Sequence, residues 1–240
     1  MFSLLVQYKQ QLAQPVKMKI ELIYSDPEIL IINKPAGIPT LPDGWDHDAP
    51  YLLKILEADY GRLFVVHRLD KTTSGVMVFT RTAESHRAMN IQFERREIDK
   101  VYHAICTGNP KWDKHTARHP IRINVGHSHR SVVDNRRGIP AETTFVMLQR
   151  FGGFSLIQVV PGTGRTHQIR VHARALGFPL LGDTLYSAPE TNLISRPALH
   201  ALSLAFTHPI NNIPVFYSAP YPDDFSAALE VLQSALFNNR

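Results

Sequence analysis

With 240 residues, 44% of them apolar, the chain can bury one sizeable core or two small lobes, which excludes a disordered tail. A formal charge of +5 and a pI near 9.4 favour a polyanionic partner through counterion release, although basicity alone identifies none. A single cysteine, Cys106, excludes an intrachain disulfide and reads as a small buried hydrophobe, and no stretch is long and apolar enough to span a membrane.

Residues 1–17 are expected to form a loosely docked extension and residues 18–240 a single domain. The opening stretch carries Leu4, Leu5 and Leu12, is ended by Pro15, and lacks the charged head and small-residue cleavage site of an export signal, so cytoplasm is the expected address. Ile20 to Tyr24 and Ile29 to Ile32 read as strands joined at the polar turn Ser25-Asp26-Pro27-Glu28. Pro35 to Pro50, rich in proline, glycine and aspartate, reads as an irregular loop. Leu52, Leu53, Ile55, Leu56 and Tyr60 fall at helical spacing, stopped by Gly61.

The apolar run Val76-Met77-Val78-Phe79 is a strand entered through the turn Thr72 to Gly75. Thr82 to Glu97 is an amphipathic helix with a capping hydroxyl and a contact face through Met89 and Phe93. Another strand starts at Lys100. Residues 109–140, with several histidines and arginines and no periodic apolar pattern, are expected to be a mobile insertion. Ala141 to Leu148 and Phe154 to Val160 form a hairpin across Phe151-Gly152-Gly153. Thr166 to Leu176 is helical with Gly177 as its stop, Ala198 to Phe206 and Val215 to Tyr217 are late strands, and Asp223 to Phe237 is an amphipathic helix. Hairpins interleaved with helices predict an α+β (mixed α/β) fold rather than a doubly wound parallel sheet.

The most informative string is His67-Arg68-Leu69-Asp70, running through Lys71-Thr72-Thr73-Ser74-Gly75 into that apolar strand. It sets one carboxylate among cations at a strand's entrance, where it could act as nucleophile or base, or simply pair with a neighbouring cation on a surface loop. The string resembles the catalytic motif of the RluA-type pseudouridine synthases, enzymes that isomerise uridine in RNA. Lys100-Val101-Tyr102 is similar to that family's Lys-x-Tyr, and Gly164-Arg165-Thr166-His167-Gln168-Ile169-Arg170 to its Gly-Arg-x-His-Gln-Ile/Leu-Arg. Gly177-Phe178-Pro179-Leu180-Leu181-Gly182-Asp183 and Asn33-Lys34-Pro35-Ala36-Gly37 complete five matches in the family's order, from roughly residue 20 to residue 220.

The resemblance implies a largely antiparallel, bent mixed sheet in two lobes, with an RNA cleft between them. It implies an isomerase that breaks the N1 to C1′ bond of uridine and joins C5 to C1′, with no net redox change and no cofactor. Asp70 inherits the role of essential carboxylate. Whether it attacks the sugar, removes a sugar proton or adds to the base stays open. Arg165 is taken as the guanidinium that keeps Asp70 ionised, with a phosphate clamp at the following helix as the rival reading. Tyr102 offers a ring to stack on the base and a hydroxyl for proton transfer, and Ile169 an apolar wall, each with core packing as the alternative. Arg68 is a candidate to fill the gap left by an everted base or to hold a phosphate, and His67 and Lys100 are further candidates for substrate contact.

The expected partner is RNA, an rRNA or tRNA stem-loop, with no membrane, no obligatory protein partner and a monomeric state. A catalytically silent basic RNA-binding protein of the same fold is the alternative. A metal hydrolase is the third class: His127-Ser128-His129, with His115 and His119, could suggest zinc, but no cysteine or carboxylate completes a ligand spacing and none is assigned. Gly162-x-Gly164 lacks the third glycine and the acidic residue of a dinucleotide fingerprint.

Overall fold

The computed structural model describes residues 20–42, 49–126 and 130–238. The expected extension 1–17 and His127-Ser128-His129 lie outside the described residues.

The fold is mixed α+β, built on one large sheet. Its first strands are β1 (Glu21–Ser25), β2 (Ile29–Lys34), β3 (Phe64–Val65) and β4 (Ser74–Thr80), and β5 (Asp99–Thr107) and β6 (Lys114–Ala117) follow. A separate hairpin, β7 (Ile121–Val125) and β8 (Arg130–Val133), precedes β9 (Thr143–Phe151), β10 (Phe154–Pro161), β11 (Leu199–Thr207) and β12 (Pro214–Ser218). The ten-stranded sheet runs β1-β2-β4-β11-β5-β10-β9-β6, with β3 added to β4 and β12 to β11. Every pairing is antiparallel except β4 with β11.

Sequence explains the centre and the edges differently. All seven residues of β4 are buried, and Ile29, Leu30, Ile31 and Ile32 of β2 are fully buried, so both strands read as continuous apolar runs covered on both faces. Edge strand β1 keeps an alternating, largely exposed pattern. Among the described residues four helices lie against the sheet: α1 (Leu52–Tyr60), α2 (Ala83–Arg95), α3 (Gln168–Ala175) and α4 (Asp223–Asn238). Helix α2 starts in a capping box, where Thr82 Oγ1 accepts from the Ser85 amide at 3.1 Å. No helix among the described residues is long and apolar enough to cross a membrane.

One apolar cluster joins β2, β4 and α1 and includes Leu69; a second joins β5, β10 and α3 and includes Ile169. Tyr102 packs against both. The sheet therefore runs unbroken through the two halves, and β11 inserts between β4, which follows Asp70, and β5, which carries Tyr102.

The described residues of the segment 109–140 include three strands. Strand β6 closes the sheet edge against β9, with Thr116 and Thr144 hydroxyls 3.0 Å apart, and β7 pairs β8. These strands are polar on their outer faces and held by tertiary contact, since Ile121 is fully buried beside Ala141, Val171 and Tyr186. Strand β7 does carry the alternation of a strand, Ile121, Ile123 and Val125 separated by Arg122 and Asn124, whereas Lys114–Ala117 of β6 shows no such pattern.

Candidate active site

Five consecutive carbonyls of the turn that carries Asp70 are bound. Thr40 Oγ1 donates to Leu69 O at 3.1 Å, the Thr73 amide to Asp70 O at 3.0 Å and the Gly37 amide to Lys71 O at 2.8 Å. Arg196 Nη1 donates to Thr72 O at 3.0 Å and Lys34 Nζ to Thr73 O at 2.8 Å. Lys34 Nζ also reaches Lys71 O at 3.3 Å and Pro35 O at 3.0 Å, which is how a fully buried ammonium is satisfied. Burial pushes that lysine down to about 7, with the nearby Asp70 charge opposing and the Arg196 charge adding to the shift. The turn ends at Gly75 with φ 120°, where a Cβ would lie 2.1 Å from Ala201 O, so only glycine lets β4 approach β11 so closely.

Facing this turn is the loop Gly162 to His167 and the start of α3. Gln168, almost fully buried, ties the loop to β9: its Nε2 donates to Glu142 O and Thr143 Oγ1, and its Oε1 accepts from Thr163 Oγ1 and the Arg165 amide. His167 sits in the left-handed region at φ 56°, rare for a residue with a side chain. Its Nδ1 lies 3.0 Å from Tyr186 Oη, which donates to Ser131 O and accepts from the Ser131 amide, leaving Nε2 3.9 Å from Asp70 Oδ2.

The basic side chains nearest Asp70 are His167, whose burial lowers its pKa and disfavours the charged form, and Arg170, whose Nη1 is also 3.9 Å from Asp70 Oδ2. Arg170 is itself fixed by a bidentate pair with Asp183, both bonds 2.7 Å and the partners 7% and 1% exposed. Arg165 does not make the expected pair: it lies on the same cavity, but its Nε donates to Pro140 O at 3.4 Å and it forms no ion pair with Asp70. The reason is local. Arg165 belongs to the loop ahead of the helix, whereas Arg170 sits inside α3, whose buried face packs toward the sheet. Motif spacing offered two arginines; the buried carboxylate of Asp183 is the signal that would have selected Arg170.

All seven residues singled out in the sequence, His67, Arg68, Asp70, Lys100, Tyr102, Arg165 and Ile169, line one cavity of about 460 Å³. That volume suits a ligand of nucleotide size. Asp70 is 21% exposed within it. Burial, and second the Asp70 charge, raise the Tyr102 phenol above its ordinary range, so it is a neutral donor at any physiological pH. Ile169, 7% exposed, is at once cavity wall and core. Arg68 is exposed and free to meet a ligand.

His67 and Lys100 are more structural than the sequence suggests. His67 Nε2 accepts the Val78 amide at 3.1 Å, extending the ladder of β3 along β4, and its ring stacks on Phe93 at 5.1 Å. Burial and then the Lys100 charge push it down to about 3, which keeps it a neutral acceptor. Lys100 Nζ lies 5.8 Å from the Phe93 ring centroid, and burial and Arg96 lower its pKa. Among the described residues no group of three His, Cys, Asp or Glu side chains could hold a metal ion.

Comparison with known proteins places this geometry among relatives. Residues 28–175 match the family model described as RNA pseudouridylate synthase. Ribosomal large subunit pseudouridine synthase D of Zymomonas mobilis is 32% identical over 91% of the chain and 74% of its own length. Dual-specificity RNA pseudouridine synthase RluA of Pasteurella multocida is 33% identical over 86% of the chain and 95% of its own length. The solved structure of human RNA pseudouridylate synthase domain containing 1 superposes with a TM-score of 0.73 at 25% identity, covering 92% of the chain and 96% of that structure.

Proposed function

Since the chain belongs to the RNA pseudouridylate synthase family, of the RluA type, and is by that membership an isomerase acting on RNA, we propose that it converts uridines of rRNA, tRNA or both with Asp70 as the reacting carboxylate. The observation that carries this reading is the meeting of Asp70, Tyr102 and Arg170 in one cavity. Among the relatives' names, one is that of a ribosomal large subunit enzyme, which supports rRNA, and another is of dual specificity, which supports action on more than one RNA.

The reaction breaks N1–C1′, forms C5–C1′, gives the C5 proton to solvent and places a proton on N1. An ionised Asp70 meets the sugar face of the bound nucleoside. Arg170, held by its bidentate pair with Asp183, places Nη1 3.9 Å from the Asp70 carboxylate and offers it positive charge across the cavity. The Tyr102 ring stacks on the base and its neutral hydroxyl hands over or receives a proton. Everting the base from its stack costs a few kcal/mol, and Arg68 fills the space it leaves. Arg165, whose guanidinium is bound among the described residues to a backbone carbonyl alone, takes the role of phosphate contact.

The test is release of tritium from RNA labelled at uridine C5, run on ribosomal and transfer RNA stem-loops with Asp70→Asn as control. We expect release with at least one RNA and none from the variant. RNA bound by the wild-type protein without tritium release would favour a silent binding protein instead.

A further inference from the structure

The matched family model ends at residue 175, yet the turn that carries Asp70 is held in part by residues beyond it. Two basic side chains divide the carbonyls of this turn: Lys34 takes Lys71 O and Thr73 O, and Arg196 takes Thr72 O. Lys34 is fixed by the central strand β2. Arg196 has no such support. It lies in the irregular stretch before β11 and is anchored by Asp224 in the first turn of α4, Nε to Oδ2 at 2.6 Å and Nη2 to Oδ1 at 2.8 Å. Its Nη1 also reaches Pro197 O and Leu199 O at 3.3 Å, and Nη2 reaches Ser74 Oγ at 3.4 Å. A bidentate pair fixes the guanidinium plane, and that plane sets where Nη1 meets the turn.

We propose that Asp224 is a positioning residue for the reaction: through Arg196 the C-terminal helix fixes the Thr72 carbonyl and so the direction of the Asp70 carboxylate. The inference rests on the reading of Asp70 as the reacting group. Asp224 itself touches none of the reacting atoms and is 42% exposed, so its substitution opens no cavity in the apolar core, while Arg196 keeps its bonds to Pro197 O, Leu199 O and Ser74 Oγ. Displacing the carboxylate by a fraction of an ångström lowers turnover without weakening the grip on RNA, because alignment matters to the transition state more than to binding.

The experiment uses the full chain with Asp224→Asn, Asp224→Glu and Asp223→Asn, the last removing the same charge from the same helix turn. Asp224→Asn is expected to lower single-turnover tritium release about 10- to 100-fold with KM for RNA unchanged within about twofold, and Asp224→Glu to recover most of it. Amide exchange at Thr73 and Gly37, which bond within and onto the turn, should accelerate by about tenfold in Asp224→Asn alone, with the α2 amides unmoved. Equal turnover in Asp224→Asn and Asp223→Asn, a loss confined to KM, or faster exchange throughout the sheet would each overturn the proposal. If the wild type and Asp223→Asn release no tritium from any RNA, the reading of the reaction fails instead, and unchanged exchange at Thr73 and Gly37 then overturns the coupling on its own.

Discussion

The two walls of the cavity are built on opposite terms. On one, the turn from Leu69 to Gly75 has every carbonyl from Leu69 to Thr73 occupied and two buried cations beneath it. On the other, the loop around Arg165 is tied through Gln168 at its base, while the arginine head makes a single long hydrogen bond among the described residues, to Pro140 O. Fixed geometry is what a reacting carboxylate requires; a spare, partly exposed guanidinium is what a mobile polyanion requires. The contrast assigns chemistry to the first wall and RNA capture to the second, with Arg170 as the cation that crosses between them.

Exchanging Arg170 for methionine should break the contrast most severely. It strands the buried Asp183 carboxylate at a cost of about 3 to 5 kcal/mol and removes a cation from Asp70. Chemical denaturation and turnover fall together in Arg170→Met, whereas adding Asp183→Leu recovers much of the stability and none of the turnover. Recovery of both would confine Arg170 to packing.

Tyr102→Phe should cut turnover by about 100-fold or more while RNA affinity holds, because stacking survives the loss of the hydroxyl. Full turnover in that variant would remove the proton-transfer role.

A smaller effect tests the rigid wall through pH. His200, buried, accepts from Ser74 Oγ and donates to Ala219 O, and burial pushes it down to about 4. The native state then holds it neutral while the unfolded chain protonates it below about 6.5, so its contribution is intact above that pH and is lost as pH falls toward 4. Replacing His200 by Gln should remove about 1.4 kcal/mol per pH unit from the slope of stability across that window, measured by denaturant titration. An unchanged slope would show the imidazole already protonated in the fold.

Least costly of all should be Arg165→Ala, which leaves single-turnover chemistry at saturating RNA near wild type and lowers the slope of log affinity against log salt by about one. A collapse of turnover at saturation would return Arg165 to the role its place in the motif suggested.

How far the sequence carried these conclusions depended on the kind of residue. The uniformly apolar β4 and the amphipathic α2 were legible from pattern, and the Asp70 turn from its Thr-Ser-Gly chemistry. Polar β6 was not, because its pairing with β9 rather than its own periodicity makes it a strand, while the alternation Ile121, Ile123, Val125 of β7 was present but lay within a stretch rich in histidine and arginine. Lys34 matched a motif, but a lysine reads as surface, and nothing local announces that three carbonyls await it in the core. The choice between Arg165 and Arg170 likewise turned on a carboxylate outside the motif, Asp183, and the hold of Arg196 on Thr72 spans 124 residues, about half of the chain.

The most direct measurement is single-turnover tritium release by Asp70→Asn at saturating RNA, with melting temperature and RNA affinity recorded on the same preparation. We expect a folded protein that binds RNA as the wild type does and releases nothing above background. Release at the wild-type rate would contradict the assignment of the reacting group to Asp70.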